Sequence, residues 1–393
     1  MRTIICGGKV VMPHRILEGA SVLLEDERIA AVYADGRQVE ADEVIDASGC
    51  YVTPGLIDLH SHGGGGHDFM DGTVEAVIGA AKAHMIHGTT SIAPTTLTCL
   101  DEELFAFFDN YRKARETMTD GPNLLGIHLE GPYFAMSQRG AQDPQYLKTP
   151  EYEHYMRILE HEDIIGRISA APELPGAMEL GTELRKRGII AAIGHSDAEY
   201  EQVMEAFEHG YTHVTHLYSG MSALHRKNAY RHLGVVESAY LMDGLTVEII
   251  ADGSHLPPEL LKLILRTKSM DQIILITDSM RGAGMPEGSV NLLGSLAHGQ
   301  PTVIQNGVAF TMDRQSFAGS VCTADRCIRT MVQKADLPIH DAVRMMTLNP
   351  ARLAGIADRK GMISPGMDAD ICLFDADIMP KCVIVAGKTC FEA

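Results

Sequence analysis

Two histidines, His60 and His62, stand one residue apart in the stretch PGLIDLHSHGGGG, Pro54 to Gly66, at the end of an apolar run that begins with a turn-forming Pro-Gly pair. On a strand such residues project to the same face, so both imidazoles can reach one metal ion. Four further groups share this placement. Glu130 in GIHLEGPYF, His195 in IAAIGHS, His216 in HVTHLYS and Asp278 in ILITDSM each close an apolar, strand-like run. A carboxylate at the end of an apolar strand is costly unless it is paired or ligated. Imidazoles from neighbouring strands suit a divalent ion, and Asp278 beside an ion-bound water is placed for proton transfer. Any one of these residues alone reads as a helix cap or a satisfied core histidine. Together, at equivalent positions, they point to a metal-dependent hydrolase.

Positioning such a set requires strands that deliver their ends to one face. Strand candidates run over 52–60, 89–94, 124–130, 164–171, 189–195, 213–216, 247–252 and 273–278, separated by helix-like stretches that include 74–87, 102–116, 198–209 and 257–266, with a further helix at 324–335. Strand and helix in alternation across 53–355 predict an α/β chain with a TIM-like (β/α)8 barrel, whose reactive groups lie at the C-terminal strand ends. Residues 1–52 and 356–393 show short alternating strands broken by Gly, Pro and Asp. Both chain ends are therefore expected to form one small flanking β-sandwich domain. Gly63–Gly66 lacks the Lys-Ser/Thr ending of a phosphate-cradling P-loop and is expected to be a pliable loop, with His67 and Asp68 beside it.

Composition narrows the function classes. The chain has 393 residues, 45% hydrophobic, with 33 basic against 52 acidic residues and a net charge of −19. That balance argues against nucleic acid or an anionic membrane as partner, and an anionic substrate would need a local basic patch. The N-terminal stretch MRTIICGGKVVMPHR is too short in apolar residues for a signal peptide, and no window reaches the ~18 apolar residues of a membrane span, so a cytoplasmic protein is expected. The 8 cysteines show no C-x-x-C pairing and are read as reduced thiols.

The segments PGLIDLHSHGG, HLEGPYF, APE at Ala171–Glu173, GHSDA at Gly194–Ala198, THLYSGMSALH, VEIIADGSHLPP, LITDSMRGAGMPEG, AGS at Ala318–Ser320, LNPA at Leu348–Ala351 and KGMISPGMDADICLFD occur in an order that resembles the amidohydrolase superfamily. Within it, the chain is similar to the deacetylases that act on N-acetylglucosamine 6-phosphate. The resemblance implies a homodimer, a divalent metal cofactor of one or two ions per subunit, zinc or iron, and hydrolysis of the acetyl group from an amino sugar phosphate by a metal-activated hydroxide. It implies that Glu130, His195 and His216 bind the principal ion, that Asp278 is both close to the metal and the general acid/base, and that His255 in DGSHLPP polarises the substrate carbonyl. Some members carry Gln and Asn where this chain has His60 and His62; with both histidines kept, a second ion is expected, bridged by Glu130 in place of the superfamily's frequent lysine. Substrate contacts are expected at Ala141, Ser219, Gly220, Arg226 and Lys227, with Arg231 adding charge and a neighbouring subunit's loop completing the site. The chain departs from the family at Gln142, where histidine is common, and at Ser219-Gly220, where Asn-Ala is common. These departures leave open the galactosamine epimer, an unphosphorylated sugar, or another linear or cyclic amide; a non-catalytic scaffold is disfavoured by the complete ligand set. His128, two residues before Glu130, is read as a supporting or core histidine.

Overall fold

The computed structural model describes residues 1–393. Its central parallel strands are Leu56–Ser61, Thr89–Pro94, Ile127–Glu130, Ile165–Ala170, Ile190–Ile193, Tyr211–Val214, Thr246–Ile250 and Ile273–Ile276. Neighbours pair in chain order, with Thr95 bridging His128 between the second and third. The ring closes where the His60 carbonyl accepts from the Asp278 N–H at 2.9 Å and Ser61 bridges Ser279. This is the expected TIM-like barrel. Its strands are covered on both faces, which is why a segment such as Ile273–Ile276 is apolar throughout and wholly buried.

Each surrounding helix buries one stripe. In Asp101–Thr117 the buried residues are Leu104, Phe107, Phe108, Tyr111 and Ala114, the spacing of one helical face. Val74–Met85 starts at Thr73, whose side chain accepts the Ala76 N–H as an N-cap, and it buries Val77, Ala80, Ala81 and His84. His84 then reaches out of the helix to the Gly63 carbonyl at 2.9 Å and the Ser61 hydroxyl at 3.0 Å. The glycine run is thus gripped from below, and a Cβ at Gly63 would lie 2.2 Å from the His67 carbonyl oxygen.

The expected first strand, 52–60, is divided in the structure. Tyr51–Pro54 pairs antiparallel with Ile371–Phe374, and after Gly55 the chain enters the barrel as Leu56–Ser61. The two chain ends share one eight-stranded sheet, packed on Ile5, Val10, Val22, Leu24, Val52, Ile371, Leu373 and Ile384. Beyond the eighth barrel strand lies a three-stranded antiparallel sheet, Val290–Leu293, Gln300–Gln305 and Val308–Thr311, which the helix-and-strand reading omits. Its tight turn is Asn306-Gly307 at φ 55° and 70°, the dipeptide that a two-residue hairpin favours. All the cysteines are free, and no helix is long and apolar enough to cross a membrane.

Candidate active site

His60 lies within the first barrel strand and Glu130 is the last residue of the third. His195, His216 and Asp278 each sit two residues beyond strands that end at Ile193, Val214 and Ile276, with φ of 48°, 26° and 47°. Left-handed backbone costs a non-glycine residue roughly 1–3 kcal/mol and persists where surrounding contacts fix it. The strand runs read from sequence therefore overshoot: the ladder stops and the backbone turns before each of these side chains is presented.

The structure brings the six together. Glu130 Oε1 is 2.9 Å from His216 Nε2 and 3.4 Å from both His195 Nε2 and His60 Nε2, while Oε2 is 3.4 Å from His62 Nε2. Asp278 Oδ1 lies 3.2 Å from His62 Nε2 and 3.5 Å from His60 Nε2. The Nε2 atoms of His195 and His216 face each other at 3.2 Å. Ligand atoms held about 2.0–2.1 Å from a tetrahedral ion stand about 3.3 Å apart, so these spacings are those of a coordination shell. Two buried triads, His60/His62/Glu130 and Glu130/His195/His216, could each hold an ion, with Glu130 common to both. The buried His60 Nε2 has no hydrogen-bond partner, and a divalent cation fits that gap as well as the convergence of two imidazole nitrogens.

Electrostatics favour the same occupant. Burial works against charge on His60, yet Asp278, Glu130 and Glu248 outweigh it and push the imidazole up to about 10; His62 is raised in the same way by Asp278 and Glu130. Burial would raise Glu130, but the His60 charge and hydrogen bonds from His195 and His216 hold it well below the usual carboxylate range. Asp278 is lowered against its burial by His60 and His62. A cluster of ionised carboxylates in a dry barrel mouth demands positive charge, from protons or from metal.

Behind these groups stand Gln142, which the sequence marks only as a departure from the family, and Asp58, Asp252, Arg167 and Glu248, which the motif reading passes over. Gln142, at the position where histidine is common in the resembled family, is buried; its Nε2 donates to Glu130 Oε2 at 2.8 Å and its Oε1 accepts from the Thr98 N–H and hydroxyl at 2.9 and 3.0 Å. Asp58 accepts from the Thr277 hydroxyl at 2.5 Å and ties the first strand to the eighth. Asp252 accepts the Ser254 and His255 N–H groups at 2.8 Å each and the His255 Nδ1–H at 2.8 Å, which leaves Nε2 as the free nitrogen. Buried Arg167 and Glu248 stand beneath the site, and His128 supports them as expected. A signal was present in IGRISA and TVEII, where a single charged residue interrupts an apolar strand.

A cavity of about 240 Å³ opens above the centre, lined by His62, Glu130, His195, His216 and Asp278 and by Gly140, Ala141, Gln142, Ser219, Gly220, His255, Ser316, Phe317 and Gly319. Ala141, Ser219, Gly220 and His255 are thus placed where a substrate would lie. Gly220 has φ 54°, and a Cβ there would meet His195 Nδ1 at 2.8 Å. Arg226 and Lys227 lie outside this cavity, on an exposed hairpin of His225–Lys227 and Tyr230–His232, and no lysine or arginine lines the pocket of the same chain. The physical reason is local. The turn Asn228-Ala229, at φ 48° and 71°, closes a short ribbon whose like charges Arg226 and Arg231 face each other and extend into water.

With this geometry in place, comparison with known proteins becomes specific. A model of the amidohydrolase family matches residues 51–390. The N-acetylglucosamine-6-phosphate deacetylase of Lysinibacillus sphaericus is 33% identical, covering 94% of this chain and 93% of the relative, and the N-acetylgalactosamine-6-phosphate deacetylase of Escherichia coli O157:H7 is 30% identical, covering 85% and 86%. Among solved structures, an N-acetyl-D-glucosamine-6-phosphate deacetylase variant from Mycobacterium smegmatis, in complex with N-acetyl-D-glucosamine-6-phosphate, is 29% identical, with a TM-score of 0.90 and 100% of both chains covered. The family model over most of the chain agrees with relatives similar across its length, and the chain belongs to the amidohydrolase family.

Proposed function

We propose that the protein hydrolyses the N-acetyl group of N-acetylglucosamine 6-phosphate, releasing glucosamine 6-phosphate and acetate. The observation that carries this reading is the pair of buried triads joined at Glu130, with Asp278 beside them at the floor of an open cavity. Relatives named as deacetylases of amino sugar phosphates, similar across nearly the whole chain, support the substrate class. The donor set of imidazole and carboxylate suits zinc or iron, in one or two ions per subunit. His60, His62, Glu130, His195 and His216 would hold it, and when bound it lowers the pKa of a water towards about 7.

The remaining steps belong to side chains. Asp278, an ionised carboxylate within 3.5 Å of His60 and His62, accepts the proton of the attacking water and returns it to the amide nitrogen, which leaves poorly unless protonated. His255, as the imidazolium whose Nδ1–H is given to the Asp252 carboxylate, donates Nε2–H to the acetyl oxygen. Ala141, Ser219 and Gly220 line the wall against which the sugar would rest. Arg226 and Lys227 serve the phosphate of a partner subunit's cavity in a homodimer; their exposure and the lack of a cation in their own cavity support this assignment.

Acetate release from N-acetylglucosamine 6-phosphate, its galactosamine epimer and both unphosphorylated sugars tests the reading. Preferred turnover of the glucosamine phosphate is expected. Preference for the epimer or for an unphosphorylated sugar would move the substrate assignment, and turnover of none would remove it.

A further inference from the structure

Inside a TIM barrel the layers of side chains are usually branched and apolar. Here one layer beneath the site is charged: Arg167 and Glu248 form a buried ion pair, with His128 and His213 on either side. Donor and acceptor roles in this layer follow without ambiguity, because a guanidinium only donates and a carboxylate only accepts. Arg167 Nη2 donates to His128 Nδ1 at 2.8 Å and to the Leu59 carbonyl at 2.8 Å, and Nη1 donates to His213 Nε2 at 3.1 Å and to Glu248 Oε1. His128 therefore carries its proton on Nε2, which meets the Ser169 hydroxyl at 2.7 Å; His213 carries its own on Nδ1, which meets the Thr246 hydroxyl at 2.7 Å.

With Oε1 of Glu248 held by Arg167, Oε2 faces His60 Nδ1 at 3.0 Å and the His216 N–H at 3.4 Å. His60 must then donate from Nδ1, which leaves Nε2 to point at Glu130 and Asp278. Its ring is fixed edge-on against His128, with centroids 4.5 Å apart and planes at 88°. We propose that Glu248, held by Arg167, is a positioning residue that sets the tautomer and orientation of His60, and so determines whether the His60/His62 half of the centre holds an ion. The same carboxylate reaches the backbone of His216, so one buried group braces both halves. The proposal rests on the reading of His60 as a metal ligand.

A partner on the far nitrogen of a ligating histidine typically changes metal affinity by about 10–100-fold. In Glu248→Gln the amide must turn its oxygen to Arg167, which aims its N–H₂ at His60 Nδ1 and forces the proton onto Nε2, the wrong nitrogen for a ligand. Removing one member of a buried pair can also unfold the chain. The double variant Arg167→Met with Glu248→Met removes the pair together, keeps the volume, and leaves His60 Nδ1 with no acceptor. Metal content per chain, measured across zinc concentrations set by a chelator buffer and read beside the melting curve, would be compared for wild type, Glu248→Gln, the double variant and His60→Ala. The expected result is that all three variants keep the tighter ion, that both Glu248 variants bind the other about 10–100-fold more weakly, and that His60→Ala loses it. Either Glu248 variant, folded and binding both ions as wild type does while His60→Ala loses one, would overturn the positioning role alone. His60→Ala indistinguishable from wild type would instead overturn the ligand reading beneath it.

Discussion

The inner half of the site and the hairpin above it are built on opposite principles. At the centre the reactive side chains are enclosed, and four of them are held by a further residue: Glu130 by Gln142, His60 by Glu248, His195 by the Gln138 carbonyl at 2.7 Å, and His255 by Asp252. At the hairpin, Arg226, Lys227 and Tyr230 are exposed, and the main tether is Glu199, which meets His232 at 2.8 Å and Lys227 at 3.4 Å. Bond-breaking geometry is fixed within one chain, where low dielectric and packing leave each group a single orientation. On the proposed assignment, charge recognition would fall to a solvated ribbon that completes its contacts only against a partner subunit.

That contrast can be broken at the centre first. Asp278→Asn should retain metal and lose turnover by about 10²–10⁴-fold, since the amide neither accepts the water's proton nor returns it; steady-state acetate release beside metal analysis checks both halves of the statement. An intermediate effect is expected at Asp252→Asn. Losing a charge-assisted hydrogen bond costs about 1.5–3 kcal/mol, so kcat should fall by roughly 10–100-fold with little change in KM.

The same variant has a pH signature. Burial would raise the Asp252 carboxyl, but His255 and the Ser254 and His255 amides hold it below its ordinary value. A carboxylate depressed in the folded state adds stability above its unfolded pKa of about 3.9, and that stability is lost as pH falls through the folded value. The melting-temperature gap between wild type and Asp252→Asn should thus be level from pH 8 to about 5 and close below about 4. A gap that widens with acid would contradict the assignment.

The smallest effect belongs to the hairpin. Arg226→Met with Lys227→Met should raise KM for the phosphorylated sugar roughly tenfold, as one charge-assisted contact is worth about 1.5 kcal/mol, and should leave kcat and the melting temperature unchanged. Rising salt should erase the difference. An unchanged KM at low salt would separate the hairpin from substrate recognition.

The same division governs what the sequence makes legible. His60, His62, Glu130, His195, His216 and Asp278 are recoverable because each ends an apolar run, and a barrel sends such ends to one mouth. The left-handed turns at His195, His216 and Asp278 are not recoverable, because the apolar pattern continues through Gly194, Thr215 and Thr277 and nothing local marks where the ladder stops. Arg167 and Glu248 carry a readable anomaly, a charge in an apolar strand, but their pairing spans 81 residues of sequence and emerges only when neighbouring strands curl. The sheet over the mouth had its turn in plain view at Asn306-Gly307. Arg226 and Lys227 could be read as cationic but not placed, since an exposed ribbon has no buried face to set its direction.

The most direct measurement is turnover of N-acetylglucosamine 6-phosphate by protein stripped of metal and then titrated with zinc, with acetate and bound zinc followed together. The account predicts no acetate from the stripped protein and a return of activity that saturates within two equivalents, the number of triads that share Glu130. Full activity in verified metal-free protein would contradict it.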